Sequence, residues 1–138
     1  MIVRNVITRA PVTVAQDDDV TKAAWLMKEE DVGSVVVLEE GSVVGILTDR
    51  DIVMRAAVLA DHTPVREVMT LMPVCLDGNA DIEEALEKME QYGVRRLPVL
   101  DTGGKLIGVV SLDDILMHLS RVLGRAGTLI RAEVLGLV

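Results

Sequence analysis

The chain carries one unit of sequence twice, and that duplication limits its possible folds more than any other feature. Residues Val3 to Leu38 return as Val65 to Leu100, with Val3/Val65, Arg4/Arg66, Val6/Val68, Thr8/Thr70, Pro11/Pro73, Asp19/Asp81, Ala23/Ala85, Met27/Met89 and Val37/Val99 identical. One additional residue near Thr102–Gly104 shifts the register. Beyond it, Gly-Ile-Leu-Thr-Asp-Arg-Asp (Gly45 to Asp51) meets Gly-Val-Val-Ser-Leu-Asp-Asp (Gly108 to Asp114). A repeat of this length is one supersecondary unit that needs a neighbour to cover its apolar face. In 138 residues two copies make one compact domain of ordinary size, or two half-domains with a shared core. A pseudo-twofold pair is expected, with sites at matched positions.

Each copy reads strand, helix, strand, strand, helix. Val12-Thr13-Val14 is a short extended piece after Pro11. The run Asp17-Asp18-Asp19 then supplies a helix N-cap, where carboxylates meet the positive end of the macrodipole. Val20, Ala23, Ala24 and Met27 follow at helical spacing, as do Ile82, Ala85, Leu86 and Met89 after Asp81. Val35 to Leu38 is a continuous apolar run, expected as a strand buried on both faces. Glu39 to Ser42 is a turn, and Val43 to Leu47 completes a hairpin. A second helix is expected from Thr48 towards Ala60, and the last helix from Asp114 to Gly124. The sequence divides into repeat one at 1–61, repeat two at 62–121 and a helical tail at 122–138. Leu129, Ile130, Val134, Leu135 and Leu137 make that tail apolar enough that it is expected to pack on something.

Half of the residues are hydrophobic, but Trp25 and Tyr92 are the only aromatics, so the core must be aliphatic. A net charge of -8 argues against nucleic acid, whose binders present basic patches, and against an anionic membrane surface. The single cysteine, Cys75, cannot form an internal disulfide, which suits a reducing compartment. The opening MIVRNVITRAP has Arg4 and Arg9 within its apolar stretch, unlike a signal peptide, and no apolar run approaches the roughly 20 residues of a membrane span. A cytoplasmic protein without membrane insertion is expected.

The pattern Gly-h-h-[Thr/Ser]-x-x-Asp, with h apolar, closes the hairpin and opens the second helix in both copies. One reading is a capping box, with hydroxyl and carboxylate exchanging hydrogen bonds with backbone amides. A second uses the same geometry for binding. Free amides at a helix N-terminus receive phosphate, and a carboxylate held there accepts ribose hydroxyls, as in dinucleotide-binding folds. The two are compatible.

The duplicated unit, the Gly45–Asp51 and Gly108–Asp114 motifs, the Val94-Arg95-Arg96-Leu97-Pro98-Val99 segment and the Val-Arg-x-Val-[Ile/Met]-Thr openings together resemble a tandem CBS-domain pair, the Bateman module. The resemblance covers about Val3 to Leu119. It implies an α+β fold of two pseudo-twofold β-α-β-β-α repeats packed sheet to sheet in one module. It also implies two clefts that take adenosine-containing ligands: AMP, ADP, ATP, S-adenosylmethionine or NAD. By matched position, Thr48 and Asp51 serve one cleft, completed by Pro73, Val74, Cys75, Val94 and Arg95. Ser111 and Asp114 serve the other, completed by Ala10, Val12, Val32, Gly33 and Ser34. Arg95-Arg96 stands where the first copy has Gly33-Ser34, and a multiply charged anion on an acidic protein needs such local cations. The Asp51 cleft is therefore expected to take a phosphorylated nucleotide more tightly. Val36 in place of Pro98 departs from the family's Leu-Pro-Val at the same point.

Trp25 lies off the apolar face of its helix, as an interface residue would. With Met54, Ala57 and Val58 it fits the disc-like homodimer that the resemblance implies. Cys75 reads as a buried small hydrophobe, and His62 and His118 as structural or solvated. No nucleophile–base pair or metal cluster is apparent, so neither catalysis nor a catalytic cofactor is expected. The expected role is a regulatory module that senses an adenosine ligand and reports to another protein. The alternative is a constitutive dimerisation scaffold without ligand.

Overall fold

A computed structural model describes residues 1–55, 62–71 and 74–137. Each repeat opens on a 3-10 turn, Val3–Asn5 and Val65–Glu67. The first continues as β1 (Thr13–Ala15), α1 (Val20–Glu29), β2 (Ser34–Glu39), β3 (Ser42–Thr48) and α2 (Asp49–Arg55). The second continues as β4 (Thr70–Leu71), β5 (Leu76–Asp77), α3 (Ile82–Tyr92), β6 (Arg96–Leu100), β7 (Leu106–Ser111) and α4 (Leu112–Val134). The expected order of elements is present in both halves. The end of the second helix expected near Ala60 lies outside the described residues.

Two sheets result, ordered β1-β2-β3-β4 and β5-β6-β7, each with one parallel pair followed by an antiparallel hairpin. Asp19 caps α1 by accepting the Thr21 amide at 2.8 Å, and Val20, Ala23 and Met27 turn into the core. In β2, Val35 and Val37 join the first core while Val36, on the opposite face, is also fully buried. The strand is covered on both sides, as its unbroken apolar run requires. Pro98, the counterpart of Val36, shows what one missing amide does. Val36 N–H donates to Val12 at 3.0 Å and opens the β1–β2 pairing at Thr13. Proline has no such donor, and β5 pairs with β6 only from Leu76 and Val99 onward.

The two cores do not follow the two repeats. Val65, Val68 and Met69, which open repeat two, are buried with Val14, Ala23, Val35 and Leu47 of repeat one. Reciprocally, Val3 and Val6 are buried with Leu76, Ala85, Leu97 and Ile115 of repeat two. Backbone hydrogen bonds fix the exchange: Val3 N–H to Ala80 and Arg4 N–H to Gly78 on one side, Val65 N–H to Asp18 and Arg66 N–H to Gln16 on the other. β4 extends it by pairing with β3 of the first repeat.

This crossing explains the glycine of the repeated motif. A Cβ on Gly45 would lie 2.5 Å from Met69 Sδ, and one on Gly108 2.5 Å from Ile7 Cγ2. Each glycine lies where the other repeat's opening segment passes over the strand, and no larger residue fits without displacement.

α4 departs from expectation. A helix closing at Gly124 and a separate helical tail at 122–138 were expected, but one helix runs unbroken to Val134, and the left-handed glycine that ends it is Gly136, at φ 74°. Gly124 and Gly127 each weaken a helix by about 1 kcal/mol, too little to break one rich in Leu, Arg and Ala. Nor does the tail pack on this chain: Leu123, Leu129, Ile130, Val134 and Leu135 are all exposed.

Two expectations follow for stability. Gly108→Ala should destabilise by about 1–3 kcal/mol through overpacking against Ile7. Gly124→Ala, with nothing within 4 Å, should instead stabilise by up to about 1 kcal/mol. Paired urea melts measure both.

The amide of Ala15 donates to Asp18, which also pairs with Lys22, and these hold the Asp18 carboxyl below its ordinary value. A carboxyl lowered by folding stabilises above its unfolded pKa of about 3.9, and that contribution disappears as pH falls through the lower folded value. The melting-temperature gap between wild type and Asp18→Asn should therefore close on acidification, in melts recorded from neutral pH to about pH 2.

Candidate functional site

Both copies of the hydroxyl–carboxylate motif form complete reciprocal boxes. Thr48 Oγ1 accepts from the Asp51 amide at 3.1 Å, while Asp51 Oδ2 accepts from the Thr48 amide at 3.0 Å. Ser111 Oγ accepts from the Asp114 amide at 3.0 Å, and Asp114 Oδ2 from the Ser111 amide at 3.0 Å. The capping reading is thus fulfilled, and it leaves the second one open. In each box one carboxylate oxygen is held, and Oδ1 has no protein partner among the described residues. The helix starts are anchored alike, Asp49 N–H to Gly33 at 3.0 Å and Leu112 N–H to Arg95 at 2.9 Å.

Beside the second box lies a cavity of about 400 Å³, within the range of small-molecule sites, roughly 300–1,000 Å³. The structure brings together there Ala10, Val12, Val32, Gly33, Ser34, Ser111 and Asp114, the full set expected on this side. Thr8, Arg9, Pro11, Asp31, Val109, Asp113 and Arg96 line it too. One wall comes from the first repeat and the other from the second. Aliphatic Ala10, Pro11, Val12, Val32 and Val109 share the lining with the carboxylates of Asp31, Asp113 and Asp114 and the guanidiniums of Arg9 and Arg96.

The cations are arranged differently from the expectation that the Asp114 side lacks them. Arg96 reaches into the Asp114 cavity: a Cβ on Gly33 would lie 3.2 Å from its Nη2 and 3.5 Å from Asp49 Oδ2. It can do so because Gly33 has no side chain. Arg96 is only partly exposed and makes no ion pair among the described residues. Arg95 is exposed and lies 3.6 Å from Asp113. Arg9 lines the same cavity but donates to the carbonyls of Glu30 and Asp31 at 3.3 and 3.1 Å, closing the end of α1.

On the other side, Thr48 and Asp51 are in place, and Val74 and Val94 pack partly buried on the second core. Pro73, matched to Pro11, lies outside the described residues. Cys75 is half-buried, which pushes its thiol up against an opposing pull from Lys88, and Lys88 donates to its carbonyl at 3.3 Å. His62 is exposed beside Asp19, and His118 Nε2 is buried without a hydrogen-bond partner among the described residues. Thr8 was marked in sequence by its identity with Thr70, whereas Asp31, Val109 and Asp113 carried no signal.

Comparison with known proteins now bears on this geometry. The family model for the CBS domain matches residues 3–57 and again 65–121. The CBS domain-containing protein YhcV of Bacillus subtilis is 37% identical over 118 residues, covering 84% of each chain. A CBS-domain protein of Burkholderia ambifaria has a similar structure at TM-score 0.77 and 30% identity, covering 86% of this chain and 93% of that one. One of Pyrobaculum aerophilum, complexed with AMP, matches at TM-score 0.77 and 23% identity, covering 88% and 99%.

Losing the Ser111 hydroxyl should cost about 0.5–2 kcal/mol, the usual worth of an N-cap. Ser111→Ala is expected to shift the denaturant midpoint accordingly, and Ser111→Thr to retain most of the stability.

Proposed function

This chain belongs to the CBS-domain family, and from that premise we propose that it is a regulatory module binding a phosphorylated adenosine ligand in the Asp114 cavity. The observation that carries this reading is the Arg96 guanidinium, partly buried and without an ion pair among the described residues, lining the same cavity as Asp114, of whose carboxylate the box holds one oxygen. A partly desolvated cation without a partner is costly, and an anion within hydrogen-bond reach offsets that cost. Asp114 accepts the ribose hydroxyls, Arg96 takes the phosphate, and Ala10, Val12 and Val32 cover the base. The same fold holds AMP in the Pyrobaculum protein; for this chain the ligand class is inferred from that likeness, and the cavity offers a place for it. The ordering of affinities differs from the sequence expectation, because Arg96 favours the Asp114 side over the Asp51 side.

Since both repeats wall the cavity, a bound ligand bridges them. It stabilises whichever relative placement of the repeats it binds better, by no more than its differential affinity. A partner protein reads that difference. Trp25, Val53 and Met54, exposed on α1 and α2, supply an apolar face for the disc-like homodimer; Ala57 and Val58 lie outside the described residues.

Thermal shift with AMP, ADP, ATP, S-adenosylmethionine, NAD and adenosine tests the proposal. Saturation at 100 times Kd adds about 2.7 kcal/mol of stability. Arg96→Ala should weaken AMP by about 10- to 100-fold, the worth of a charged hydrogen bond, and leave adenosine nearly unchanged. Asp114→Ala should weaken both, and Asp51→Ala should do so less. No shift with any of the six would favour the scaffold role.

A further inference from the structure

A second hollow, of about 340 Å³, is lined by Arg4, Ile7, Thr8, Arg9, Ala10 and Ile107. It shares Thr8, Arg9 and Ala10 with the Asp114 cavity, but its lining differs in charge: two arginines, one threonine and no acidic residue. On a chain of net charge -8 this is a local reversal of sign, and such a concavity concentrates anions. Arg9 gives one of its nitrogens, Nη1, to the carbonyls of Glu30 and Asp31. That anchors the side chain and leaves its other nitrogens to donate.

Arg4 is available to an anion because the repeats differ at one position. Its counterpart Arg66 donates its amide to Gln16 and pairs its guanidinium with Asp17. Arg4 makes the matched backbone bond, amide to Gly78 at 3.0 Å, but the residue after Gly78 is Asn79, where the first repeat has Asp17. No carboxylate answers Arg4. It makes no ion pair among the described residues, and neighbouring Asp77 accepts the Asn79 amide at 2.7 Å. A Cβ on Gly78 would lie 3.2 Å from Arg4 Nη2 and 2.9 Å from Ile107 Cδ1. The guanidinium therefore rests against the backbone at Gly78, beside Ile107.

We propose that Arg4 and Arg9 form a phosphoryl site in this hollow, with Thr8 beside them. Guanidinium forks match the tetrahedral, multiply charged phosphate group. Two sources supply that chemistry: a free phosphate, or the second phosphoryl of a nucleotide seated in the Asp114 cavity. The first stands without the nucleotide reading; the second rests on it.

Thermal melts in millimolar inorganic phosphate, against chloride of equal ionic strength, test the site. Phosphate should raise the wild-type melting temperature, and Arg4→Gln should weaken the underlying affinity about 10-fold, as loss of a charged hydrogen bond does. Asn79→Asp should do the same without altering either arginine, because its carboxylate pairs Arg4 as Asp17 pairs Arg66. Its melt without phosphate should be unchanged or higher, which separates lost binding from lost folding. Titrations with ADP and AMP then distinguish the sources. If the phosphoryl is a nucleotide's, Arg4→Gln weakens ADP about 10-fold and spares AMP; if it is free phosphate, both nucleotides are spared. Equal phosphate stabilisation of all three proteins, with an unchanged ADP-to-AMP ratio, overturns the proposal. So does a matching loss of AMP and ADP in Arg4→Gln. Should no nucleotide bind at all, the proposed function fails while the phosphate melts still decide this site.

Discussion

Val3 and Val65 are fully buried in cores that otherwise belong to the opposite repeat, and this exchange governs the rest of the molecule. Neither core is complete without the other repeat's opening turn. A half of about 60 residues buries only some 60% of its unfolded surface and is marginal alone; here each half borrows valines as well as a neighbour. The crossing segments must lie close to the strands they cover, which leaves room only for Gly45 and Gly108 beneath them. The folding unit is therefore the pair.

The same exchange builds the cavity. After Val3 and Val6 are buried in the second core, the chain from Thr8 to Val12 must pass between the halves to reach β1. That passage forms one wall, and the start of α4 forms the other. The Ser111–Asp114 box does two jobs there. It caps the start of α4, and it fixes Asp114 on the lining of the cavity with one carboxylate oxygen held by the Ser111 amide. Arg96 supplies the opposite charge from the first residue of β6, through the space that Gly33 leaves. A site made from two halves is sensitive to their relative placement, which a site within one half is not.

Much of this could be read from residue types alone. The repeat, the strand–helix–strand–strand–helix order, the Asp19 cap and the doubly buried β2 all follow from local pattern, whereas the wall residues Ala10, Val12, Val32, Gly33 and Ser34 came from the resemblance to the CBS family, carried over by matched position. Three features did not. The destination of Arg96 depends on side-chain direction at a strand start and on space beside Gly33 in the other repeat, neither of which has a one-dimensional signature. The exchange of opening turns is a long-range pairing between segments with the same sequence pattern, so periodicity cannot tell own core from partner core. The run of α4 through Gly124 reflects propensity summed over the helix, with the left-handed turn needed to stop it located at Gly136.

The repeats diverge at places that make their work unequal. Gly33 and Ser34 face Arg95 and Arg96, so the guanidinium stands on one side of the pseudo-axis only, and α4 extends well beyond the described length of its counterpart α2. A ligand that favours one placement of the Ser111–Asp114 box places the first turn of α4 with it, because the box is the N-cap of that helix, and it does so by no more than its differential affinity for the two placements.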